Sequence, residues 1–200
     1  RRQIQDKLRA VCVEDRIIDT LVRLDPLSDL PRTGWLLRGV RPCESIADHS
    51  FGVAMVAMLL TDALRAEGET VDGERVLRMA LVHDAPEART GDVPMPVKTA
   101  EAESVLDRID EGLARDLLPD ALYASWQEAE AGASLEARIV KAADKLQMMI
   151  KAHVYERQQR GQLDEFWQNP KNFRDMELPL ARRIYDRLCE RAGRVRPERG

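Results

Sequence analysis

Histidine is scarce in this chain, at 3 residues in 200. Cysteine is equally rare, also with 3, and aromatic residues make up only 4%. Cys12, Cys43 and Cys189 lie far apart with no C-x-x-C spacing, which excludes a structural zinc site of the thiolate type. Free thiols at such spacing make a reducing cytoplasm the expected compartment. Neither sign of charge dominates: 31 Lys and Arg face 35 Asp and Glu, a net charge of −4. A nucleic-acid polymer, which needs a broad basic face, is therefore not an expected partner. No apolar run approaches the roughly 18 residues of a bilayer span, and the N-terminus lacks the apolar core of a signal peptide, so no membrane partner is expected. Alternating β-branched runs are missing as well.

The chain does have helix formers and enough apolar mass for a core, with 44% hydrophobic and 33% charged residues. Ala, Leu, Arg and Glu dominate, and the expectation is an all-α bundle in one domain over residues 1–200. Its core covers about 14–160, with a C-terminal helix at about 177–192 packing on it. The spacing predicts a first helix at about Glu14 to Leu24, with Ile17, Ile18, Leu21 and Leu24 on its apolar side. A second opens at Ser45 and Asp48, an S-x-x-D capping box, and stops at Gly68. Further helices are predicted at about Gly73 to Arg89, Ala100 to Leu118, Leu122 to Ala131 and Ser134 to Arg160. The loop "PLSDLPRTGWLLRGVRP" is long and carries a Trp and three Arg, which is unusual for a connector.

The scarce histidines sit in unusual places. His49 falls in the first turn of the second helix, and His83 stands beside Asp84 in the apolar stretch "ALVHDAPEART". Asp144 lies in the small-residue setting "IVKAADKLQMMI". Taken singly, each has an ordinary reading: a hydrogen-bonded core histidine, or an aspartate paired with Lys141 or Lys145. Together, in the order H…HD…D on three helices, they read as ligands for a divalent metal. Imidazole plus carboxylate suits Mn, Fe, Co, Ni, Zn or Cu, and inward side chains from separate helices are a standard way to hold one. Glu87 follows His83 by four positions, which puts a carboxylate on the same helix face as a ligand, suited to general acid or base work. His153 lies nine residues after Asp144, roughly on the opposite side, and reads as a non-ligand. No histidine lies between Asp84 and Asp144 to serve a second metal, so one metal ion is expected.

The order His49, His83-Asp84, Asp144 resembles the HD-domain superfamily of metal-dependent phosphohydrolases. "RTGWLLRGVRPCESIADHS", "HDAPEARTGDVPMPVK" and "KAADKLQ" resemble its 5′-deoxynucleotidase branch, over roughly Leu30 to Leu146. The resemblance implies hydrolysis of deoxyribonucleoside 5′-monophosphates to nucleoside and phosphate. It implies His49, His83, Asp84 and Asp144 as metal ligands and Glu87 as catalytic residue. It also sets Asp92 close to the phosphate and the attacking water. Arg32, Arg38, Arg41 and Lys98 stand as phosphate partners, with Trp35 available to stack on the base or pack on the sugar. Gly34 departs from the bacterial pattern, which has Arg directly before the Trp, and "PRTGW" looks more like the eukaryotic form. A homodimer is expected, with "LQMMI" and the C-terminal helix as the apolar surfaces available to it. Rival readings within the superfamily are a dNTP or (p)ppGpp hydrolase and a pathway-specific small-molecule phosphatase. Outside catalysis, the rival is an HD scaffold used as a binding module.

Overall fold

The computed structural model describes residues 12–94 and 99–198. Its regular structure among those residues is helical, with one isolated antiparallel bridge joining Pro31 to Ser45. In chain order the helices are α1 (Val13–Leu24), α2 (Thr33–Leu36), α3 (Ile46–Ala66), α4 (Gly73–Val82), α5 (Glu87–Thr90), α6 (Ala100–Leu117), α7 (Asp120–Ala131), α8 (Leu135–Arg157), α9 (Asp164–Gln168) and α10 (Pro179–Ala192). Two 3-10 turns, Asp25–Ser28 and Pro170–Phe173, are interleaved with them.

Local chemistry sets the helix starts. The Ser45 side chain accepts the Asp48 N–H while Asp48 accepts the Ser45 N–H, closing the capping box that opens α3. Asp72 and Ser134 cap α4 and α8 in the same way, each accepting the N–H three residues on. α3 packs along α8 and α4, and α10 lies against α8 and α3. Between them lies the main core, built on Val53, Leu60, Met79, Ile139, Leu146, Met149 and Tyr185.

The expected helix from Gly73 to Arg89 stops early, at Val82. Pro86 is the cause, since it has no N–H to give the Val82 carbonyl. The chain tightens instead: the N–H groups of Ala85, Glu87 and Ala88 reach back three residues, to Val82, Asp84 and Ala85. α5 then restarts at Glu87. His83 and Asp84 thus sit at a break between two helices rather than inside one.

Two other expectations change. α1 has the predicted amphipathic pattern, but of its apolar residues only Leu24 packs on the core: Ile17 is 56% exposed and Leu21 64%. The helix touches the rest through α6 and the following 3-10 turn, and a periodic stripe carries no information about which surface meets it. "LQMMI", expected to be available to a dimer, is mostly interior, because Leu146 and Met149 face α3 and the main core and are 0% exposed. α3 itself is long and apolar enough to cross a membrane by length and composition, with a mean hydropathy of 1.2. Asp48, His49 and Asp62 interrupt its apolar sequence, so it contains no unbroken apolar run of that length. In the fold, 44% of that window is buried inside the protein.

Candidate metal centre and active site

Three helices deliver the scarce polar groups to one place. His49, 0% exposed, comes from the first turn of α3, and Asp144 from the middle of α8. His83 and Asp84 come from the break after α4. Ligand atoms of His49, His83 and Asp144 all lie within 4.8 Å of one another. His49 Nε2 is 3.3 Å from Asp144 Oδ1 and 3.6 Å from Asp84 Oδ2. His83 Nε2 is 3.3 Å from the same Asp84 oxygen. All four predicted ligands therefore meet.

The two imidazoles are held from behind. His83 Nδ1 is 2.8 Å from the Ala80 carbonyl, and His49 Nδ1 is 2.6 Å from Gln147 Oε1. Each partner is an oxygen, so each Nδ1 is the donor and each Nε2 is turned towards the carboxylates. Both Nε2 atoms are buried with no hydrogen-bond partner among the described residues. A buried polar nitrogen left unmatched is costly unless something else satisfies it. Two such nitrogens converging on two carboxylates are a donor set that fits a divalent transition metal.

Behind His49 the relay continues. Gln147 donates from Nε2 to Glu44 Oε2 at 3.0 Å, and Glu44 Oε1 accepts the Trp35 indole N–H at 2.8 Å. Glu44 is 5% exposed and also meets Lys151 at 3.3 Å. Gly52 makes room for this relay: a Cβ there would lie 2.8 Å from Gln147 Cγ and 2.9 Å from its Nε2. Ala for Gly in a helix normally gains about 1 kcal/mol. Here the added methyl displaces the amide that orients a ligand, and loss of such support weakens metal binding roughly 10–100-fold. Gly52→Ala is therefore expected to raise the metal dissociation constant by about that factor, read by competition with a chelating dye. A constant within twofold of the parent would show that Gln147 does not orient His49.

Arg32 is the electrostatic pivot of the site. Its Nη1 lies 3.2 Å from Asp84, 3.5 Å from Asp92 and 3.8 Å from Glu87. Burial opposes its charge, but the surrounding carboxylates outweigh it and hold the guanidinium protonated more firmly than usual. Burial likewise opposes charge on Asp84, yet His83 and Arg32 keep that carboxylate well below the usual range. Asp144 is held low against burial by Lys145, 3.0 Å away, and by His49. Glu87 goes the other way: burial, reinforced by Asp84, pushes it up to about 9 despite Arg32. Its Oε2 is buried without a hydrogen bond. The site thus pairs ionised ligands with one protonatable carboxyl, the division of labour that acid–base chemistry needs. Asp92 follows Gly91, whose φ of +69° makes the turn, and accepts the Gly34 N–H at 3.2 Å.

These groups form the floor of a cleft of about 740 Å³. The remaining expected contacts fare differently. Arg32 lines the cleft but is already engaged by three carboxylates. Arg38 is tied to Glu165, so its charge is largely spoken for. Arg41 is exposed and does not line the cleft, because the chain has already turned away after Gly39. Lys98 lies outside the described residues. Trp35 is not an open stacking surface: it is 2% exposed, with Phe166 stacked on it at 4.4 Å and Tyr155 edge-on at 5.3 Å. Sequence reasoning missed Gln147, although its place three residues after Asp144 on one helix was a usable signal. It also left residues 161–176 unassigned, and Glu165, Phe166, Asn169, Lys171, Asn172 and Arg174 wall the cleft.

Comparison with known proteins agrees with this architecture. The family model described as "HD domain" matches residues 24–178. A zebrafish (Danio rerio) protein named 5′-deoxynucleotidase HDDC2 is 34% identical over 160 residues, covering 76% of this chain and 77% of the relative. Its human counterpart of the same name is 34% identical over 149 residues, 70% of each chain. Among solved structures, a protein from Pyrococcus horikoshii OT3 superposes with a TM-score of 0.74 at 36% identity, covering 88% of this chain and 98% of the other. With the family model matching most of its length and the HD pair set at the break between α4 and α5, this chain belongs to the HD-domain family.

Proposed function

We propose that the protein is a metal-dependent 5′-deoxynucleotidase, hydrolysing deoxyribonucleoside 5′-monophosphates to deoxynucleoside and phosphate. The observation that carries this reading is the pair of unmatched imidazole nitrogens meeting Asp84 and Asp144 on the floor of the cleft, with Glu87 beside them. The relatives named 5′-deoxynucleotidase support the same substrate class. His49, His83, Asp84 and Asp144 would hold one divalent transition metal, which supplies Lewis acidity towards a phosphoryl oxygen and towards water.

The chain's own residues divide the remaining work. In hydrolysis the oxygen of water bonds to phosphorus, the P–O5′ bond breaks, and the 5′ oxygen leaves with a proton. Glu87 moves that proton, taking one from the attacking water or giving one to the leaving oxygen. Arg32 fixes Asp84, Glu87 and Asp92 around the reacting centre and offsets their charge as a phosphate dianion approaches. Asp92, anchored by the Gly34 N–H, positions the water. Lys145 and Lys171 line the cleft and add positive charge for the anionic substrate.

A metal-supplemented screen tests this. Deoxy- and ribonucleoside monophosphates, dNTPs and (p)ppGpp are each incubated with the protein and Co, Mn, Fe, Ni, Zn or Cu in turn. Orthophosphate released from the deoxynucleoside monophosphates is the expected result. Pyrophosphate or triphosphate as the product would move the protein to another reaction class, and no release from a metal-loaded protein would make it a binding module.

A further inference from the structure

Phe166 is the more exposed of the two aromatic residues that line the cleft. It is half-buried and lines the cavity, whereas Trp35, the aromatic residue the sequence brings forward, also borders the cavity but is only 2% exposed. The two rings lie 4.4 Å apart at 16°, so one face of Phe166 is backed by the indole. Its carbonyl is fixed by Asn172 Nδ2 at 2.9 Å, and Asn172 is itself only 8% exposed. The Phe166 N–H is bonded to the Leu163 carbonyl at 3.0 Å. An aromatic ring held on one face and at both backbone groups is preorganised, so little is lost in ordering it when a ligand arrives.

The neighbouring groups extend the pattern. Gln168 and Asn169 line the same wall, and the Asn169 Oδ1 accepts the Lys171 N–H at 3.0 Å. The cleft is therefore bipartite. Part of its lining is carboxylates and Arg32, next to the histidines, and part is a flat ring with amide groups beside it. A nucleotide has the same division: a charged phosphate, then a flat base with a hydrogen-bonding edge.

We propose that Phe166, on the wall formed by residues 165–174, is the residue against which the nucleobase stacks, with the Gln168 and Asn169 amides facing the base edge and Trp35 serving as backing. The proposal rests on the nucleotidase reading for its ligand class. Stacking a base on an aromatic side chain contributes roughly 1–3 kcal/mol by alanine substitution. Leucine keeps the bulk that packs on Trp35 and removes the aromatic face.

The test uses binding rather than turnover, so it stands apart from the phosphate-release screen. Metal-loaded wild-type protein, Phe166→Leu and Phe166→Tyr are titrated calorimetrically with each of the four deoxynucleosides and, separately, with inorganic phosphate. Metal content and unfolding temperature are recorded for each variant. The expected result is deoxynucleoside binding to wild type that weakens about tenfold or more in Phe166→Leu and is kept in Phe166→Tyr, with phosphate affinity moving by less than half as much on a logarithmic scale. Equal weakening for phosphate and deoxynucleoside would overturn the proposal and make Phe166 a packing residue of Trp35. So would a Phe166→Leu protein that binds deoxynucleosides as wild type does, or a wild type that binds none of them. A protein that fails the hydrolysis screen but shows this Phe166-dependent binding would lose the nucleotidase reading and keep the stacking wall.

Discussion

Glu87→Gln is expected to lower kcat for phosphomonoester hydrolysis by about 10²–10⁴-fold while bound metal stays at the parent level. Glutamine matches the shape of the side chain, so α5 and the Arg32 cluster keep their form. It cannot gain or lose a proton, which is the one property the mechanism asks of this residue. The position is suited to that task. The Glu87 carboxyl is pushed up, to about 9, whereas Asp84 and Asp144 are held low. Parallel measurement of kcat and of metal per protein decides the matter. A variant that loses metal in proportion to activity would make Glu87 a ligand support, and one within tenfold of wild type would remove it from the chemistry.

The second large effect is on stability. Glu44→Gln should lower the unfolding free energy by about 2 kcal/mol, since leaving one buried donor unsatisfied costs roughly 1–3 kcal/mol. Both carboxylate oxygens of Glu44 are acceptors in the fold, one for the Trp35 indole and one for the Gln147 amide. Glutamine offers one acceptor and one donor, so one of those N–H groups meets another N–H. The Lys151 contact, with that lysine about a third exposed, adds little. For a chain of this size each kcal/mol moves the midpoint by roughly 2–4 °C, so thermal unfolding should fall by about 4–8 °C. An unchanged midpoint would mean that the buried pairing around Glu44 contributes nothing to the fold.

How much of this was legible in the sequence varies with the type of signal. The residues of the candidate metal centre were readable because His and Asp in apolar stretches are anomalous, and their occurrence in H…HD…D order makes each more telling. Helix starts were readable where a capping residue stands at them, as at Ser45 and Ser134. The break after Val82 was also readable in principle: Pro86 announces it, but the apolar periodicity on either side concealed it. Three features could not be read. Whether Trp35 faces a ligand or the core depends on Phe166, 131 positions later in the chain. Whether Arg32 or Arg38 is free depends on Asp84 and Glu165, which only the tertiary fold brings to them. The wall at residues 161–176 consists of a one-turn helix, a 3-10 turn and loops, and elements that short have no periodicity to detect.

The guanidinium of Arg32 has a consequence for how the protein is assembled. A knot of carboxylates inside a protein would ordinarily repel itself apart until a cation arrived, and folding would then wait for the metal, as it does in small zinc-dependent domains. Arg32 is a permanent counter-ion, supplied by the chain and already in place between Asp84, Glu87 and Asp92. The main core of α3, α4, α8 and α10 is built from apolar side chains rather than from the site's charged groups. On the proposed reading the expected order is therefore fold first and metal second. A metal would enter a receptacle whose charges the chain has already balanced, as an exchangeable reagent.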